Sequence, residues 1–128
     1  MIRLFKKVQI HVKFYRNEIE VTRVDTNRCI KRSTNHLFST DRLVIADFHN
    51  AEYHLTSLIK ELMEGKSMVI NKLIMIMQQM IEYPDGLSET EKRALRDLAE
   101  HAGAVEVYVL DHSKEINNQN LQDLINKN

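Results

Sequence analysis

Residues 88–110 read Ser88-Glu-Thr-Glu-Lys-Arg-Ala-Leu-Arg-Asp-Leu-Ala-Glu-His-Ala-Gly-Ala-Val-Glu-Val-Tyr-Val-Leu110. Ser88 followed by Glu91 three residues later is a capping-box signature. In that motif each residue's side chain satisfies an orphan backbone N–H of the other at a helix start. Ala94, Leu95, Leu98, Ala99 and Ala102 then recur at helical spacing and make one apolar face. Gly103 tolerates left-handed geometry and stops the helix. Val105 to Leu110 reads as a strand. Just upstream, Tyr83-Pro-Asp-Gly86 is the clearest turn in the chain. A capped helix that delivers the chain into an apolar strand is the repeating unit of a parallel sheet.

Working back from this unit, Leu73-Ile-Met-Ile-Met77 is short, fully apolar and bounded by polar residues. It reads as a buried central strand, with helix as the rival for the stretch from Met68 to Tyr83. Ala51, Leu55, Leu58, Ile59 and Leu62 recur at helical spacing from Asn50, and Glu64-Gly65 ends that helix. Leu43-Val-Ile-Ala46 leads into it, after a polar loop from Ser33 to Asp41. Near the N-terminus, Val8, Ile10, Val12 and Phe14 alternate with polar residues, the period of a strand with one buried face. Glu18 to Val24 and Cys29 to Arg32 are second and third strands, separated by turns at Arg16-Asn17 and Asp25-Thr-Asn27. After Leu110, a last helix from Ser113 would turn Ile116, Leu121, Leu124 and Ile125 inward, although its Asn-rich end weakens it.

The expected order is therefore β-β-β-α-β-α-β-α. Three leading strands form an antiparallel meander, and the later strands, joined through helices, pair in parallel by right-handed crossovers. This is an α/β chain with a mixed five-stranded sheet, the ribonuclease-H-like arrangement, in one domain over residues 1–128.

Composition narrows the function classes. The chain has 43% hydrophobic and 28% charged residues, ordinary for a globular protein. Eighteen Lys and Arg balance 18 Asp and Glu, so the basic excess of a nucleic-acid binder is missing. The single cysteine, Cys29, excludes an intrachain disulfide and points to a reducing compartment. No apolar run is long enough to span a bilayer. The N-terminus lacks the long apolar core of a signal peptide. A cytoplasmic protein is expected.

Two segments carry a family resemblance. Val44-Ile-Ala-Asp-Phe48 with its following helix is similar to the segment of MreB proteins where a V-I-A-D-F run enters the first helix. Glu91-Lys-Arg-Ala-Leu-Arg96, Ala102-Gly-Ala104 and Glu106-Val-Tyr-Val-Leu110 resemble the MreB pattern E-R-R-A-I-R, then A-G-A-R-E-V-F-L-I, at the same spacing. Pro84-Asp-Gly86 fits the family's P-x-G. The resemblance covers the first large subdomain of this bacterial actin-like family, and implies an actin-like subdomain that serves the rod-shape cytoskeleton.

The family's chemistry does not carry over with its scaffold. Its first phosphate loop is a hairpin between the first two strands with an Asp-x-Gly-Thr pattern, in which Gly permits close backbone approach to phosphate. Here His11 stands for the Asp, Lys13 for the Gly and Phe14 for the Thr. Glu91 matches a family glutamate near the hydrolytic water, but its capping-box spacing gives it a structural role. The first strand has no acid at the position a ribonuclease-H-type nuclease needs for metal binding. No catalytic residue, cofactor or metal site is expected. The six histidines show no metal spacing.

Met1-Ile-Arg-Leu-Phe-Lys-Lys7 resembles the short amphipathic stretch that anchors many MreB filaments. Ile2, Leu4 and Phe5 would enter the lipid interface, with Arg3, Lys6 and Lys7 facing anionic headgroups at the inner membrane, a weak peripheral contact. The favoured rival is a frayed start to the first strand. The expected function is a non-enzymatic, MreB-related interaction protein, with MreB or a second copy of itself as partner. The alternative is a small-ligand or nucleotide-binding module on the same fold.

Overall fold

The computed structural model describes residues 4–63, 69–83 and 86–112. The elements run β1 (Leu4–Tyr15), β2 (Glu18–Arg23), β3 (Arg28–Ser33), α1 (Phe48–Leu62), β4 (Val69–Gln79), α2 (Glu89–His101) and β5 (Ala104–Leu110). The expected order holds through β5. Pro84, Asp85 and the expected last helix lie outside the described residues.

The sheet is mixed, with spatial order β3-β2-β1-β4-β5. β1 pairs antiparallel with β2, and β2 with β3. β1 pairs parallel with β4, and β4 with β5. The pairing of β1 with β4 decides the ambiguous stretch. It runs from Leu4↔Val69 to Phe14↔Gln79, so residues 69–79 are strand and the helical rival is excluded. The strand exceeds its apolar centre at both ends because ladder hydrogen bonds, not side-chain character, set its length. β1 likewise starts at Leu4, ahead of the alternation that begins at Val8.

One face of the sheet carries the core. Val8, Ile10, Val12 and Phe14 of β1, Ile19 and Val21 of β2, and Leu73, Met75 and Met77 of β4 point to it. Ala51, Leu55, Leu58, Ile59 and Leu62 of α1 and Leu95, Leu98 and Ala99 of α2 pack against them. Burying one of the Val, Leu, Ile, Phe or Met side chains among them contributes about 1.5–3 kcal/mol relative to exposure. The opposite face carries the alternate residues of the same strands, among them His11, Ile74, Ile76 and Gln78, also buried.

Local rules set the helix ends. Both arms of the capping box are present: Glu91 N–H donates to Ser88 Oγ at 3.2 Å, and Ser88 N–H donates to Glu91 Oε1 at 3.3 Å. Gly103 follows α2 with φ +106°, a backbone conformation that a side chain would strain. α1 begins at Phe48 rather than Asn50 because Asp47 caps it, accepting from the Asn50 N–H at 3.0 Å.

Candidate functional site

The carboxyl ends of β1 and β4 are where an open α/β sheet presents a ligand crevice. Here the β1–β2 turn, the loop over residues 34–47, the end of β4 and the first turn of α2 converge. The turn residue Asn17, at φ +53°, organises the loop. Its side-chain Oδ1 accepts the backbone N–H groups of Phe38 and Ser39, both at 2.8 Å. Its own N–H donates to Ser39 Oγ at 3.2 Å, and its carbonyl accepts from Thr34 N–H at 3.0 Å. Asn tolerates left-handed geometry and reaches nearby backbone with a short side chain, which suits it to this position.

These bonds seat Phe38 in the core, fully buried, where its ring meets Phe14 edge-to-face at 6.5 Å between centroids. Ser39 is also buried and donates its hydroxyl to Val44 O at 2.6 Å. The polar reading of residues 33–41 missed this. A lone Phe38 among polar residues has no periodicity to reveal it, and the partner that holds it lies 21 residues away.

His11, Lys13 and Phe14, which the resemblance sets against the family's phosphate loop, have separate structural duties. His11 is buried on the opposite face, with Nε2 2.8 Å from Gln78 Oε1. Burial lowers its pKa below the usual histidine value, aided by Lys13 and opposed by the Gln78 hydrogen bond and Glu20. Gln78 in turn donates to Asp111 O at 3.2 Å. Lys13 pairs with Glu20 across the hairpin at 3.7 Å. Phe14 is core. The structure thus does not bring the three together.

Glu91 is buried, and both of its oxygens are engaged. Oε1 accepts from the Ser88 N–H and lies 3.0 Å from Ser88 Oγ, and Oε2 accepts the Val44 N–H at 3.4 Å. Beside it, burial raises the Tyr83 pKa, helped by the Glu91 charge, and the Tyr83 hydroxyl donates to Thr40 O at 3.2 Å. Gln79 differs from these neighbours. It is fully buried at the last rung of β4, and neither its Oε1 nor its Nε2 has a hydrogen-bond partner among the described residues. Sequence reading passed over it, because one polar residue at a strand end carries no motif.

Leu4, Phe5, Lys6 and Lys7 open β1, in register with Val69, Ile70, Asn71 and Lys72 of β4. Ile2 lies outside the described residues. Among the described residues no group of three or more His, Cys, Asp or Glu is placed to hold a metal ion, and no helix is long and apolar enough to cross a membrane. A surface depression along the outer side of α2, beside Glu89, Arg93 and Asp97, lies on the solvent-facing charges of that helix.

A family model described as MreB/Mbl protein matches residues 30–116, more than half of the 128-residue chain. The chain belongs to the MreB/Mbl family. A search of curated proteins finds no match. The matched span begins inside β3 and includes both segments on which the resemblance to MreB rests. β1 and β2, the hairpin that carries His11, Lys13 and Phe14, lie outside it.

Proposed function

We propose that this chain is a non-enzymatic member of the MreB family that acts by protein contact on the bacterial cell-shape cytoskeleton. Its strand order and mixed pairing support a ribonuclease-H-like, actin-like subdomain. One observation carries the reading. Phe14, which the resemblance aligns with the phosphate-loop Thr, is fully buried against Phe38. A core aromatic at that place supplies no donor to a phosphate. Glu91 adds support, since both oxygens already accept backbone N–H groups.

Isothermal titration with Mg-ATP tests the first half of the proposal. No heat of binding is expected, and tight binding would overturn it. A pulldown with a purified MreB-family protein tests the second half, and recovery of nothing would defeat the cytoskeletal reading. Membrane contact by Ile2, Leu4, Phe5, Lys6 and Lys7 competes with strand pairing of residues 4–7. Liposome co-sedimentation of the full chain against one lacking residues 1–7 decides whether it occurs.

A second reading has one observation in its favour. The unpartnered Gln79 amide at the carboxyl end of β4 suits a small polar ligand, because buried amides without partners are uncommon. A nucleotide or metabolite that raises the melting temperature of the wild type but not of Gln79→Met would establish it.

A further inference from the structure

The sheet buries residues on both faces, and the described elements account for one face only. Both helices lie over Leu73, Met75 and Met77, and the buried loop residues Phe38, Val44 and Tyr83 join the same core. Strand alternation puts Ile74, Ile76 and Gln78 on the other face. Ile74 and Ile76 are 1% and 0% exposed within a single chain, yet neither belongs to the helix-side core. A sheet face without a second layer stays in contact with water. Some part of this same chain therefore lies over Ile74 and Ile76, and no second copy is needed to explain their burial.

The face itself narrows what fits. Beside Ile74 and Ile76 stand Gln9 and His11 on β1, and Glu106 and Tyr108 on β5. The apolar strip is thus one strand wide with polar borders, which suits an amphipathic segment. Gln9 and Lys72, on the same face, are engaged as well. The exit of β5 directs the chain to this strip. Gln78, 2.8 Å from His11 Nε2, donates to Asp111 O at 3.2 Å, so the first residue past β5 is tied to a side chain of this face. Residues 1–3, 64–68 and 84–85 are short pieces beyond the strand ends, too short to reach back to Ile76. Residues 113–128 follow β5 after Asp111 and His112. As a helix they would reach about 24 Å, against about 13 Å from Gln78 to Ile74. Leu121, Leu124 and Ile125 have the spacing of one apolar helix stripe.

We propose that residues 113–128 dock along β4 on this face, with Leu121, Leu124 and Ile125 over Ile74 and Ile76. They form an intramolecular cover that any protein partner of the face must first displace. The proposal goes beyond the cytoskeletal reading and does not depend on it.

Urea unfolding of the full chain tests this through a double-substitution cycle. Ile76→Ala and Leu124→Ala together should cost less than the sum of their separate losses, by at least about twofold in the unfolding constant, because contacting residues couple. Leu58→Ala, on the helix face, should add to Leu124→Ala without coupling. Additive losses for the Ile76 pair, or equal coupling in both pairs, overturn the proposal. Hydrogen exchange on the wild type serves if a variant fails to fold. The amides of Leu121, Leu124 and Ile125 should exchange at least about a hundredfold more slowly than those of an open chain, and open-chain rates overturn the docking. No MreB-family protein enters either measurement, so failure of the docking is distinguishable from failure of the cytoskeletal reading.

Discussion

The helix-to-strand unit from Ser88 to Leu110 and the hairpin-and-loop region from Phe14 to Asp47 meet at the same end of the sheet, yet different kinds of contact hold them. In the first, the deciding contacts are local. Ser88 and Glu91 cap each other three residues apart, and Gly103 ends the helix at its next step. In the second, the deciding contacts are distant. Asn17 reaches Phe38 and Ser39, and Phe14 meets the ring of Phe38. The family match covers the first region completely, but of the second it includes only the part after Cys29. The helix and strand lie inside the matched span, while Phe14, in the hairpin outside it, is core.

The largest effect that would break this contrast is at Asn17. Asn17→Ala leaves the N–H groups of Phe38 and Ser39 without their acceptor and puts a Cβ-bearing residue without a polar side chain at positive φ. A loss of about 3 kcal/mol is expected in urea unfolding. Asn17→Asp, which keeps both the acceptor and the tolerance of positive φ, should lose far less. Equal losses for the two would mean that the side chain does not hold the loop.

This contrast also sets what the sequence could reveal. The Ser88 box, the α2 stripe and Gly103 were legible because helix signals recur within a turn of one another. The parallel order of the later strands followed because strands linked through helices cannot pair antiparallel by a short turn. The extent of β4 was not legible, since Gln78, Gln79 and residues 69–72 owe their strand state to β1. The buried Phe38, the Asn17 anchor and the orphan Gln79 were also hidden, because each depends on contacts that no periodicity encodes. Of the candidate site, His11, Lys13 and Phe14 stood out in the sequence, but not the contacts that they make with Gln78, Glu20 and Phe38.

A smaller effect is expected in the local region. Ser88→Ala removes one arm of the capping box and should cost about 1 kcal/mol. Glu91 would keep its bond to the Val44 N–H, so α2 should shorten at its N-terminus without leaving the core. Far-UV circular dichroism and thermal melts read both effects. A loss as large as that of Asn17→Ala would show that α2 nucleates the loop as well.

Gln79 sharpens the comparison from the opposite side, because there a substitution should help. Its amide is buried with neither polar atom paired among the described residues, which costs about 1–3 kcal/mol of desolvation. Gln79→Met keeps the length of the side chain and removes that penalty. A gain of up to about 1 kcal/mol is expected after imperfect packing is allowed for. A clear loss would mean that the amide is engaged in solution, which is what the ligand-binding reading requires.

The smallest effect concerns His11, buried on the opposite face of the sheet. Burial holds its folded pKa below the ordinary value of 6.5, so the native state keeps it neutral while the unfolded chain takes up a proton first. Between the folded pKa and 6.5 the unfolded state therefore binds more protons, and stability rises with pH. The contribution is complete above the unfolded value and is lost as pH falls below it. At pH 6 the loss from this one group is under about 1 kcal/mol, because the unfolded histidine is then only partly protonated in excess. Lys13 adds to the penalty on the protonated form, and Glu20 and Gln78 reduce it. Urea midpoints at pH 7.5 and pH 6 should thus separate more for the wild type than for His11→Gln. If the two separate equally, the acid sensitivity resides in other groups and His11 is a neutral filler of the opposite face. If the wild type is instead stabilised on acidification, the imidazole is held in its charged form, and the opposite face of the sheet then buries a cation at this position.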